Sequence, residues 1–116
     1  MRFSLGLDDF GRLECRIGDD QEEHALWAAE PEAALETLSA ALDDLEISGA
    51  GECVWLLSGG EYRWVFRRES GRVRLAVMFL HSVAVGYPHV YWGEHPLEET
   101  LEQFRGGIRR FLEKRA

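Results

Sequence analysis

Hydrophobic and polar residues alternate over residues 2–7, with Phe3, Leu5 and Leu7 on one side and Arg2, Ser4 and Gly6 on the other. The alternation resumes over 12–17, where Leu13, Cys15 and Ile17 oppose Arg12, Glu14 and Arg16. A period of two sends successive side chains to opposite faces, so each segment predicts a half-buried strand. Asp8-Asp9-Phe10-Gly11 between them is turn chemistry. A one-residue slip would turn one apolar set outward, so parity pairs Leu7 with Leu13 across a three-residue loop at 9–11 ending in a glycine bulge.

An acidic loop follows from Gly18 to Glu23. From Pro31 to Ile47 the period changes to that of a helix: Leu35, Leu38, Leu42 and Leu45 form one stripe, Pro31 suits the first helical position and Gly49 follows as a stop. Residues 52–57 then open a meander, turning at Gly59-Gly60 into Glu61–Glu69 and at Ser70-Gly71 into Arg72–Leu80. Two-residue loops there set Trp55 opposite Trp64, Leu57 opposite Tyr62, Phe66 opposite Leu75 and Trp64 opposite Val77, every pair apolar. Val90-Tyr91-Trp92 reads as a short extra strand.

A second helix runs from Pro96 to Lys114, with Leu97, Leu101, Phe104, Ile108 and Phe111 at helical spacing. Gly106-Gly107 in its middle costs roughly 1 kcal/mol per residue relative to alanine, so either something packs close to the backbone there or the helix is locally weak. The order β-β-α-β-β-β-α makes this an α+β chain. It predicts one domain over 1–116 with a mostly antiparallel sheet of five to six strands and two helices packed on its aromatic face.

Composition narrows the class. The 116 residues are 46% hydrophobic and 29% charged, the balance of a globular protein, and their pattern is that of neither a membrane span, a coiled coil, a solenoid nor a disulfide-dense miniprotein. A formal charge of −8 disfavours nucleic acid and anionic membrane surfaces as partners. The charge is uneven: residues 1–58 carry −11 and residues 59–116 carry +3. Opposite halves of this kind attract each other, join copies, meet a charged partner, or are simply solvated apart. Met1-Arg2-Phe3-Ser4 begins no secretory pattern, so a cytoplasmic location is expected, with Cys15 and Cys53 free and buried. One lysine against twelve arginines and no asparagine resembles the composition of GC-rich bacterial proteins.

Three groups of residues could carry chemistry. If Tyr62, Trp64 and Phe66 point to the core, then Arg63, Val65 and Arg67 point away, joined by Arg74, Ala76 and Met78, with Val54 and Leu56 extending the surface. Arginine interleaved with apolar side chains suits a protein-binding patch, because guanidinium pairs carboxylates in a planar fork while its stem packs. The plainer reading is a solvated sheet face, or one covered by the arginine-rich second helix.

Residues 81–95 are the second group. His81, Tyr87, His89, Trp92 and His95 could line a ligand pocket, although the histidine spacing fits no zinc motif. The third is Asp19, Asp20, Glu22 and Glu23 before His24, which lacks the calcium-loop pattern and reads most simply as a solvated run.

No nucleophile elbow, phosphate loop or dinucleotide fingerprint occurs. The expectation is a non-catalytic interaction domain without metal or cofactor, binding another protein or a second copy through Arg63, Val65, Arg67, Arg74 and Met78. The alternative is a small-ligand-binding protein or enzyme using the 81–95 segment.

Overall fold

The computed structural model describes residues 1–81 and 89–115. Nine elements follow in order: β1 (Arg2–Leu7), β2 (Leu13–Gly18), β3 (Glu23–Ala28), α1 (Pro31–Ser48), β4 (Ala50–Leu57), β5 (Gly60–Glu69), β6 (Arg72–His81), β7 (His89–Pro96) and α2 (Leu97–Arg115). The fold is α+β with antiparallel pairing throughout. Instead of one sheet of five to six strands, however, there are two, ordered β1-β2-β3 and β4-β5-β6-β7.

The first hairpin pairs Leu7 with Leu13, as parity requires. The Asp8 amide donates to the Arg12 carbonyl at 3.0 Å, and the Asp8 carboxylate accepts from the Phe10 and Arg12 amides at 2.9 Å each. The acidic segment departs from expectation. Only Asp19–Glu22 form a turn, closed by the Asp19 amide on the Glu22 carbonyl at 2.9 Å. From Glu23 the chain becomes β3, setting Leu26 beside Cys15 and Ala28 beside Leu13. Its inward set of His24, Leu26 and Ala28 is weakly apolar and its outward set contains Trp27, which is why no alternation marks it.

The meander keeps its facing but shifts one register. Arg67 lies opposite Arg74, Phe66 opposite Leu75 and Trp64 opposite Val77, whereas Trp55 pairs with Tyr62 and Cys53 with Trp64. The turn is one residue earlier than Gly59-Gly60: Gly59 takes the left-handed conformation at φ 84° and Gly60 already belongs to the ladder opposite Leu57. That shifts pairing by two residues and leaves every side chain on its expected face. Residues 90–92 are the middle of a full fourth strand, β7, which also takes in His89 and His95.

Both helices lie on the inner face of the β4–β7 sheet. On α1, Ala34, Leu35, Leu38, Ala41, Leu42 and Leu45 are buried, and the Ala34 carbonyl accepts a 3.1 Å bond from the Trp55 indole. Phe104 of α2 packs edge-to-face with Trp64 at 5.8 Å and Phe66 at 5.5 Å, and in a tilted arrangement with Phe3 at 4.3 Å. The small sheet completes the core: the His24 ring lies 6.3 Å from Tyr91, and the Ala29 amide just beyond β3 donates to Leu56 of β4 at 2.9 Å. Thus β3 spans the large sheet from β7 to β4. The consequence for function is that helices and small sheet share one side, and among the described residues no element packs on the other.

Candidate functional site

Alternation along four paired strands, broken by a bulge in the β6–β7 ladder between Val77 and Met78, builds the outer face. The inward set, Cys53, Trp55, Tyr62, Trp64, Phe66, Val73, Leu75, Val77 and Tyr91, is buried. The outward set falls into cross-strand rows. One row runs Glu52, Val65, Ala76, Trp92; the next runs Val54, Arg63, Met78, His89; a third holds Ala50, Arg67, Arg74, Glu94. Arg63, Val65, Arg67, Arg74 and Met78 therefore occupy one surface. The arginine-rich α2 does not cover it, being on the opposite side.

The apolar members are neighbours on the pleat. Val54, Val65, Ala76 and Met78 are half-buried by one another, while Leu56 is 65% and Trp92 61% exposed. An indole left that open, opposite Ala76 at the end of an apolar row, is a contact-ready surface, since a large aromatic ring releases the most water on being covered.

Charge is distributed unevenly across this face. Arg63, at its centre, lies 3.6 Å from Glu52 and 3.7 Å from Glu61, and its Nε is shielded from solvent without a hydrogen-bond partner among the described residues. Arg74 has Glu69 at 3.4 Å. Arg67, directly across the ladder from Arg74, makes no ion pair among the described residues. Two guanidinium groups opposite one another repel mildly, and an incoming carboxylate would relieve that repulsion.

Among the described residues, the side chains of the histidine segment do not converge. Residue 87, Tyr87, lies outside the described residues. His81 is exposed at the end of β6, opposite Gly60, with its ring edge-on to Phe79 at 4.4 Å. His89 and Trp92 face outward, opposite Met78 and Ala76. They share a shallow groove of about 270 Å³ with Glu22, His24, Val90 and Tyr91. His95 faces the other way, where its Nε2 lies 2.7 Å from the Tyr91 hydroxyl. Burial holds the His95 ring below the usual histidine range and raises the Tyr91 phenol. Among the described residues no group of three histidine, cysteine or carboxylate side chains is arranged to hold a metal ion.

Cys15 and Cys53 are free thiols buried in the core. Burial pushes Cys53 up to about 12 and raises Cys15 well above an ordinary thiol, so neither is an activated thiolate. No helix among the described residues is long and apolar enough to cross a membrane.

Sequence reasoning assigned Trp92 to the histidine group, away from the arginine face. The signal that would have moved it is parity with Ala76, available only once 89–96 is recognised as one strand. Glu94 joins the arginine row for the same reason.

No protein-family model matches this chain. No characterised protein matches it, and no solved structure does.

Proposed function

We propose that this chain is a non-catalytic protein-binding domain, docking another protein on the outer face of β4–β7. The observation that carries the reading is the combination of an open apolar strip, Val54, Leu56, Val65, Met78 and Trp92, with Arg67, which has no ion pair among the described residues, at its end beside Arg74. The chemistry fits a partner segment that presents an apolar side chain to the strip and a carboxylate to the two arginines. Trp92 supplies the large apolar contact, Arg67 and Arg74 fix the register, and Arg63 packs its stem beneath.

Affinity capture with wild-type protein and two variants tests the proposal. The partner is expected to be retained by wild type, lost with Arg67→Glu/Arg74→Glu and lost with Trp92→Ala, while both variants keep the wild-type melting temperature. A partner that remains bound to both variants overturns the assignment of this face. A large fall in melting temperature shows instead that these residues serve the fold.

A further inference from the structure

The acidic and basic halves of the chain meet along the two helices. Arg105 bonds Asp43 at 2.9 Å and Glu46 at 3.0 Å, and Arg115 bonds Glu32 at 3.3 Å. These clamps lie at opposite ends of α1 and set the helices antiparallel. Between the clamps the helices do not close. A groove of about 550 Å³ opens there, with Ile108 and Leu112 of α2 inside it, Ser39 and Asp43 on the α1 side and Arg109 on the α2 side. Leu112, between the two clamps in the last turn of α2, is 51% exposed.

The two walls carry opposite charge. Glu32, Glu36, Ser39, Asp43 and Glu46 recur at alternating spacings of four and three, which lines them along one edge of α1. The α2 wall carries Arg105 and Arg109, with Glu113 beside Arg109, and Arg115 stands at its far end. Glu36 makes no ion pair among the described residues, and Arg109 has only Glu113 at 3.9 Å. A surface that is acidic on one side of an apolar groove and basic on the other is complemented by the inverse arrangement. Its own image supplies that inverse. A two-fold axis along the groove lays α1 of one copy over α2 of the other, antiparallel and at the same height.

We infer that a second copy of this chain occupies the groove, forming a symmetric dimer through α1 and α2. Arg109 of each copy falls between the levels of Glu36 and Asp43 of the other, and the two Leu112 side chains meet near the axis. Helices of this length extend about 27 Å, and a pair is about 20 Å across, so each copy contributes roughly 500 Å² in projection. That is the scale of a weak, concentration-dependent interface. Its charged rim is open to solvent, so salt weakens it. The sheet's outer face is on the other side of the molecule and remains free in such a dimer.

Sedimentation equilibrium over the micromolar to near-millimolar range tests this. A monomer–dimer equilibrium that weakens as salt rises is expected. Leu112→Asp and Arg109→Glu should each raise the dissociation constant by about tenfold or more, the equivalent of losing one well-placed contact. Arg109→Glu combined with Glu36→Arg should recover part of that loss, because the exchanged charges again face each other. Arg109 is exposed, so its variant reports even if Leu112→Asp fails to fold. A monomer at every concentration overturns the inference. So does a dimer that ignores the helix variants and is lost with Arg67→Glu/Arg74→Glu, which would put the second copy on the sheet.

Discussion

The Phe3 ring lies where a side chain on Gly107 would begin: a Cβ there would sit 2.6 Å from Phe3 Cδ2 and 2.8 Å from Cε2. Phe3 is buried and itself packed 4.3 Å from Phe104, so the ring has nowhere to go. The mid-helix glycine is thus the condition for docking β1 against α2, and it joins the small sheet to the rest of the core.

The neighbouring glycine differs. A Cβ on Gly106 would meet only the Arg110 guanidinium at 3.1 Å, the mobile end of an exposed side chain. Gly106→Ala is therefore expected to stabilise the fold by up to about 1 kcal/mol through helix propensity. Gly107→Ala should destabilise it by about 1–2 kcal/mol, overpacking outweighing the same propensity gain. Chemical denaturation of the two single variants checks this; equal effects would show that Phe3 does not set the requirement.

Parity made the first hairpin and the facing of the meander legible in the sequence, because a slip there would expose Leu13, Cys15 and Ile17 or Tyr62, Trp64 and Phe66. The joint placement of Arg63, Val65, Arg67, Arg74 and Met78 on one face follows from the same rule. Where two adjacent glycines could each make the turn, parity could not choose, since Gly59-Gly60 and Ser58-Gly59 differ by two residues in pairing and by nothing in facing. Strand β3 escaped because two of its three inward residues are His24 and Ala28. Strand β7 was partly hidden by Gly93, His95 and Pro96, residues that usually mark loops; with it went the position of Trp92.

Arg67 and Arg74 offer a test of whether binding or stability has shaped the outer face. Their side chains stand directly opposite with the same charge. Arg67→Glu replaces repulsion by attraction, so the variant should be more stable than wild type by about 0.2–1 kcal/mol. It should also bind the proposed partner more weakly. Thermal melts beside binding measurements check both; a variant that melts lower would mean that Arg67 supports the fold by a contact other than charge.

Two fully buried indoles differ in one bond. Trp55 donates to the Ala34 carbonyl at 3.1 Å, whereas Trp64 Nε1 finds no acceptor among the described residues. The rings themselves pack together with centroids 5.0 Å apart. Replacement by phenylalanine leaves a comparable cavity at either position but removes a hydrogen bond only at Trp55. Trp55→Phe should therefore be the more destabilising by about 1 kcal/mol. Denaturation midpoints of the pair decide it, and a larger loss at Trp64 would reveal a partner for its N–H.

The partly buried ring of His95 makes stability depend on pH. Burial, with the nearby Met1 amine and Arg72, disfavours the charged ring more than Glu99 and Asp19 favour it, so His95 is held below its unfolded value of about 6.5. Above that pH both folded and unfolded chains carry the neutral ring and the contribution to stability is complete. As pH falls below it, the unfolded chain takes up the proton first, so the contribution declines until the folded ring is protonated too. Melting temperature should accordingly drop between neutral pH and pH 5, and His95→Gln should flatten that part of the profile. Asp19 and Glu99, whose carboxyls are held below their ordinary range chiefly by the Gln21 amide and the Met1 amine respectively, give a separate loss at lower pH. A profile unchanged by His95→Gln between neutral pH and pH 5 would assign the slope to another group.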